Sequence, residues 1–332
     1  MRAELLAPEV MKTLALTKDM EEFLGFLSQT LYHEDLGEGR GGVKARELEK
    51  IFNQRFLNRL ERVIRFCPEA LSKFLITYFF LKLEIHNLKR VLRGKFSKLP
   101  VNRIREFLIP LGPFQSISFE ELLMAEDLEG FIDLLRNTPY APLKESLVLC
   151  GKYDVLWPIE VRFNYLYVES IHAILSKIPM VDRSRIRRMV EIEADVENLL
   201  LAINWRDAEK VLPSLESVFQ HAYGLPHEKI KELTEWTDLG EVIRGLTSPY
   251  MEILEPVLVK DFALVRTNLR RHIYEMAERG RVRNDFDLPC IMSYFISCEV
   301  EKEDLAAIAW GKEQEVEPKR ILTYSVLPAY VP

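Results

Sequence analysis

Two short patterns recur three times along this 332-residue chain, in the same order and at nearly constant spacing. The first runs from Asp19 to Thr30-Leu31-Tyr32, from Asp127 to Thr138-Pro139-Tyr140, and from Thr237 to Ser248-Pro249-Tyr250. The second reads Glu84-Ile85-His86-Asn87-Leu88, Asp195-Val196-Glu197-Asn198-Leu199 and Glu301-Lys302-Glu303-Asp304-Leu305. From the hydroxyl residue to the Asn or Asp the distance is 57, 60 and 56 residues. A basic residue lies eight positions further on each time: Lys95, Arg206 and Lys312. Such a chain has to repeat one structural unit, so whatever a single copy forms, all three form.

Both patterns have helical periodicity. In the first, Phe23, Leu24 and Leu27, and again Phe131, Ile132 and Leu135, mark a short amphipathic helix ended by a Thr/Ser turn. The third copy is weaker, with Val242 but also Glu241 and Gly245. In the second, Leu81, Ile85, Leu88 and Leu92 step by 4, 3 and 4, as do Ile192, Val196, Leu199 and Ile203, giving one apolar stripe. In copy three Lys302 interrupts the stripe, although a lysine stem can cover apolar surface while its ammonium stays in water. No alternating β-branched runs lie between hairpin turns, so strands are not expected. The dense punctuation at Pro110-Leu111-Gly112-Pro113 and Gly224-Leu225-Pro226 predicts three helical repeats, 1–110, 111–224 and 225–332. The expected fold class is all-α.

Composition and motifs narrow the function. Lys+Arg number 45 against 51 Asp+Glu, a net charge of −6, whereas nucleic-acid binders carry a basic face. The local run Arg183, Arg185, Arg187 and Arg188 reads as a solvated helix start. Cys67, Cys150, Cys290 and Cys298 form no C-x-x-C pair and read as small buried residues in a reducing compartment. No segment has the roughly 18 apolar residues a spanning helix needs. Glu4, Pro8, Glu9 and Lys12 break up any signal-peptide core, so the chain is expected to be soluble.

Catalytic signals fail on context. Gly37-Glu38-Gly39-Arg40-Gly41-Gly42 matches G-x-G-x-x-G, but no strand pattern precedes it, so it reads as a loop. Gly94-Lys95, Gly151-Lys152 and Gly311-Lys312 lack the Ser or Thr of a phosphate loop. The six histidines form no H-x-x-x-H pair, so no metal is expected, and no nucleophile has a matched base. Glu191, Glu193, Asp195 and Glu197 fall on different sides of a helix and read as a solvated acidic face. No cofactor is expected.

The segments Phe79 to Lys95, Met189 to Leu199 and Glu299 to Tyr324, with Ile308-Ala309-Trp310 and Arg320-Ile321-Leu322-Thr323-Tyr324, resemble the three repeats of the C-subunit family of V-type and A-type ATPases. In eukaryotic vacuolar enzymes the counterpart is the d subunit. The resemblance covers nearly the whole chain. It implies three similar helical domains about a pseudo-threefold axis, forming a funnel. It implies a non-catalytic rotor and central-stalk subunit, monomeric and one copy per complex, that receives the stalk shaft and sits on the membrane rotor ring. Such a subunit lies on the cytoplasmic face, reaches the membrane only through the ring, and links proton or sodium translocation to ATP synthesis or hydrolysis. The cations Arg93, Lys95, Arg206 and Lys312 are then candidate contacts with shaft or ring, or cations that complement a helix C-terminus. Two other readings remain: a helical-repeat adaptor with other partners, and an all-helical enzyme whose site is assembled from distant residues.

Overall fold

The computed structural model describes residues 4–37, 42–178, 183–207, 223–226, 228–229, 232, 238–280 and 288–330, all α-helix, short 3-10 or π turns and connecting loops, with no strand among them. Thr237 and glycine-run residues 38–41 lie outside the described residues, as does the side chain of Arg206. No described helix is long and apolar enough to cross a membrane.

Two compact units result. One joins the chain ends, residues 1–66 and 252–332, and the other is the continuous stretch 67–251. In the first unit the long helix Leu288–Glu313 packs against Ala45–Ile64 and Phe262–Gly280. The N-terminal helix Pro8–Leu16 lies on Pro318–Thr323 and on the 3-10 turn Leu327–Tyr330. In the second unit Trp157–Leu175 packs against Arg183–Asp207, Leu143–Tyr153 and Leu81–Phe96. A π turn at Ile76–Phe80 joins Glu69–Leu75 to Leu81–Phe96, and the Tyr167 hydroxyl donates to the Tyr78 carbonyl there at 2.9 Å.

The apolar stripes turn inward as their spacing predicts, except at Leu81, which is only half-buried. Ile85, Leu88 and Leu92 are buried, as are Ile192, Val196, Leu199 and Ile203. Lys302 in copy three departs from the expectation of an ammonium in water: the residue is buried, and its charge lies 5.0 Å from the centroid of the Phe56 ring. Cys150 and Cys298 are buried, whereas Cys67 and Cys290 are only partly so.

The short helices begin alike. Asp19 caps Met20–Leu27 by accepting from the Glu22 N–H at 2.9 Å, and Asp127 caps Leu128–Leu134 by accepting from the Gly130 N–H at 2.8 Å. In copy three the cap is Asp238, which accepts from the Gly240 and Glu241 N–H groups at 2.7 and 3.2 Å. The short helix of the third copy therefore starts one residue later than the register that begins at Thr237, while Ser248 and Tyr250 keep their places. In the corrected register Ile243 and Leu246 take the places of Leu24 and Leu27, and both are buried. The apolar face of that copy is thus stronger than the Thr237 register suggests.

The acidic run is not a solvated face. Glu191 lies 3.1 Å from Arg187 and 3.2 Å from the His172 ring nitrogen, Glu193 lies 2.7 Å from Lys82, and Asp195 is buried. Spacing by two does scatter these groups around the helix, but neighbouring helices cover three of the sides.

Candidate functional site

Where the patterns meet, the same polar arrangement forms three times. The Tyr140 hydroxyl donates to Glu84 Oε1 at 2.6 Å, the Tyr250 hydroxyl to Asp195 Oδ2 at 2.7 Å, and the Tyr32 hydroxyl to Glu301 Oε1 at 2.8 Å. The tyrosine ending the first pattern thus meets the acid opening the second pattern, but from the preceding copy. Copy three closes on copy one. Each carboxylate also holds the chain arriving at it. Glu84 accepts from the Ser116 N–H and hydroxyl at 2.7 and 2.6 Å. Asp195 accepts from the Tyr223 and Gly224 N–H groups at 2.9 and 2.8 Å. Glu301 accepts from the Leu6 N–H at 2.5 Å and from Arg59 Nη1 at 2.8 Å.

Local geometry explains the residues beside these acids. Thr30 and Thr138 turn their hydroxyls back onto the Leu27 and Leu135 carbonyls at 2.6 and 2.7 Å and accept from the N–H of Tyr32 and Tyr140, which aims each ring inward. Asn87 donates to the Ile109 carbonyl at 2.8 Å and accepts from its N–H at 2.9 Å. Asp304, at the equivalent place, accepts from the Val326 and Leu327 N–H groups at 2.9 and 2.7 Å. A Cβ on Gly224 would collide with the Arg188 guanidinium and the Tyr250 hydroxyl, so a larger residue there would have to push both side chains away from Asp195.

The candidate contact cations divide. Lys95 Nζ donates to the Leu123 and Ala125 carbonyls at 2.8 and 2.5 Å. Lys312 Nζ donates to the Ala15 carbonyl at 2.8 Å and also to that of Thr17. In both copies these carbonyls lie four and two residues before the capping Asp, so the ammonium fixes the turn that leads into the short helix. Burial lowers the titration of both amines. Arg93 instead grips Glu160 with two bonds of 2.5 and 2.8 Å and keeps 58% of its side chain exposed. The glycines before Lys95 and Lys312 allow a close crossing, since a Cβ on Gly94 would stand 2.6 Å from Ile104 and one on Gly311 2.7 Å from Ile321.

The paired tyrosines titrate far from their ordinary range. Burial raises Tyr32, Tyr140 and Tyr250, and the facing carboxylate raises each further. A phenol held above its unfolded pKa contributes stability that is intact below about pH 10 and lost as pH rises towards the folded value. Lowered Lys89, Lys95 and Lys312 act with the opposite sign, and their contribution is complete near the ordinary lysine value of about 10.4. Urea midpoints are therefore expected to hold steady to about pH 10 and to fall above it. The fall should shrink in a Tyr140→Phe, Tyr250→Phe variant. A flat alkaline profile in the native chain would contradict the arrangement.

These side chains satisfy one another's hydrogen bonds. Among the described residues no group of His, Cys, Asp or Glu is arranged to hold a metal ion. The three acid–tyrosine pairs do structural work. The family model described as ATP synthase (C/AC39) subunit matches residues 1–324. The chain is 26% identical to the A-type ATP synthase C subunit of Methanosarcina acetivorans, over 95% of this chain and 87% of that one. With the protein of the same name from Methanocaldococcus jannaschii it shares 26% identity over 91% of this chain and 77% of that one. With that of Archaeoglobus fulgidus it shares 21% over 97% and 93%.

Proposed function

Since the chain belongs to the ATP synthase (C/AC39) subunit family, we propose that it is the non-catalytic central-stalk subunit of an A-type ATPase, joining the stalk shaft to the membrane rotor ring. In that position it links proton or sodium translocation to ATP synthesis or hydrolysis from the cytoplasmic face of the membrane. The match over residues 1–324, which spans all three repeats, carries this reading. It is supported by relatives named as the A-type ATP synthase C subunit that align along nearly all of their own length.

The physical character of the chain suits the role. A part that transmits torque has to resist bending, and helices keep their backbone bonds internal. Buried ionic and phenolic clusters tie the elements to each other and favour one arrangement. On this reading the repeats 1–110, 111–224 and 225–332 surround a pseudo-threefold axis as a funnel that receives the shaft. Arg93, Lys95, Arg206 and Lys312 are the candidate contacts, and Arg93 is foremost because its guanidinium reaches solvent while anchored on Glu160.

Reconstitution with the stalk shaft and membrane ring of the same enzyme tests the proposal. The chain is expected to co-migrate with both at one copy per complex. Omitting it should uncouple ion flow from ATP turnover, and the isolated chain should not hydrolyse ATP. Failure to join the complex, or saturable ATP turnover by the purified chain, would overturn the reading.

A further inference from the structure

The geometry points to the outer edge of the Arg93 guanidinium as the receptor for a carboxylate of the stalk shaft, an aspartate or glutamate side chain seated against Arg93 and Lys89 beside Phe96. The partner's identity rests on the proposed function, whereas its chemistry is read from this chain.

A guanidinium is a planar fork of N–H donors, and more than one of its edges can hold a carboxylate. Arg93 commits one edge inside the protein, where Nε and Nη2 donate to the two oxygens of Glu160 at 2.5 and 2.8 Å. Glu160 is 7% exposed and belongs to Trp157–Leu175, so a neighbouring helix fixes the plane of the fork. The outer edge, Nη1 with the remaining hydrogen of Nη2, has no acceptor among the described residues, and 58% of the side chain is exposed. A free arginine loses rotamer freedom when it binds. Here Glu160 has already removed that freedom, so a second carboxylate meets a site formed in advance.

Two neighbours sharpen the choice of ligand. Lys89 lies one turn back on the same helix face, half-buried. Its ammonium donates to Asn164 Oδ1 at 2.7 Å and makes no ion pair with a carboxylate among the described residues. Glu197 and Glu160 act on it through their field. Phe96 follows Arg93 by three positions and is 41% exposed. An apolar ring beside a charged pair excludes water from it and strengthens the bond.

The other copies do not repeat the arrangement. In copy three Trp310 and Glu313 stand in the places of Arg93 and Phe96, and both are tied within their own unit. Trp310 donates to Glu49 at 3.0 Å, and Glu313 accepts from the Ala45 N–H at 3.2 Å. In copy two the equivalent of Arg93 is the neutral Asn204. A symmetrical ring presents the same groups at every rotation, so any copy could meet it equally. A receptor built in one copy suits a partner without that symmetry, which is the shaft.

Binding of the full chain to the purified shaft, and separately to the purified ring, is the test, read by titration calorimetry and co-migration. Arg93→Ala should weaken shaft binding by about thirtyfold or more and leave ring binding unchanged. Arg93→Lys keeps a charge for Glu160 but has no second edge, and should weaken shaft binding about tenfold. That variant decides the matter even if Arg93→Ala does not fold with Glu160 unpaired. Phe96→Ala should weaken shaft binding by about threefold. Changing the acidic residues of the shaft to Asn or Gln one at a time should find one whose loss matches that of Arg93→Lys and adds little to it. The inference is overturned, with the proposed function standing, if the native chain and Arg93→Lys bind the shaft equally. The same holds if no acidic shaft residue couples to Arg93, or if the loss falls on ring binding. A native chain that binds neither shaft nor ring would overturn the proposed function itself.

Discussion

Replacing Glu301 by alanine is expected to lower the unfolding free energy by about 3–5 kcal/mol, the cost of leaving a buried charge without its partner. Arg59 is 4% exposed and would keep its charge in the protein interior. The Tyr32 hydroxyl and the Leu6 N–H would lose their acceptor in the same step. Glu301→Gln keeps an acceptor and should lose less. The double change Arg59→Met, Glu301→Leu should recover the part of the loss due to the unpaired charge, while the Tyr32 hydroxyl and the Leu6 N–H stay without their acceptor. Urea unfolding measures all three. A loss below about 1 kcal/mol in Glu301→Ala would mean that the cluster is solvated in solution.

Gly94→Ala is expected to cost about 1–3 kcal/mol, although glycine is ordinarily a poor helix residue and its removal should help. The reason is contact: a Cβ at Gly94 would stand 2.6 Å from Ile104, a branched side chain fixed on the following helix. Adding Ile104→Ala opens the space, so the penalty of the Gly94 change should shrink when both are made together. Gly151 is the control, because a Cβ there meets nothing within 4 Å. Gly151→Ala should therefore be neutral or stabilising by up to about 1 kcal/mol. Thermal melts of these variants, with Ile104→Ala alone to complete the cycle, distinguish steric from propensity effects. Equal behaviour of Gly94→Ala and Gly151→Ala would refute the close crossing.

Much of this architecture was legible because helices advertise themselves locally. The stripe Ile85, Leu88 and Leu92 and the capping residues Asp19 and Asp127 are set by neighbours within one or two turns. The acid–tyrosine pairs were not legible, although every member stood in a recognised pattern. Their partners lie in different copies, and aligning the copies compares equivalent positions, never complementary ones. Lys95 and Lys312 have a further role that was not legible, for a related reason. A cation ending a helix looks available to a partner, but a lysine stem is long enough to fold back onto the next loop, where two carbonyls await it. Asp195 looked solvated among other acids, yet two backbone N–H groups and a phenol are gathered around it. In copy three the cap moved by one residue to Asp238, a shift that spacing counts absorb as noise.

The pairing across copies also bears on how such a chain can evolve. An open solenoid gains or loses modules because each added unit meets only its neighbour and the caps stay outside. Here the last acid is answered by the first tyrosine, so the ends serve as each other's caps. Deleting one module would bring together an acid and a tyrosine whose supporting loops belong to different lineages, and inserting one would separate the ends. Duplication could only have been tolerated while the copies were interchangeable. With Asp195 now fitted to the Gly224 N–H and Glu301 to Arg59, the three sites are no longer interchangeable, so a change in module number would mismatch at least one of them.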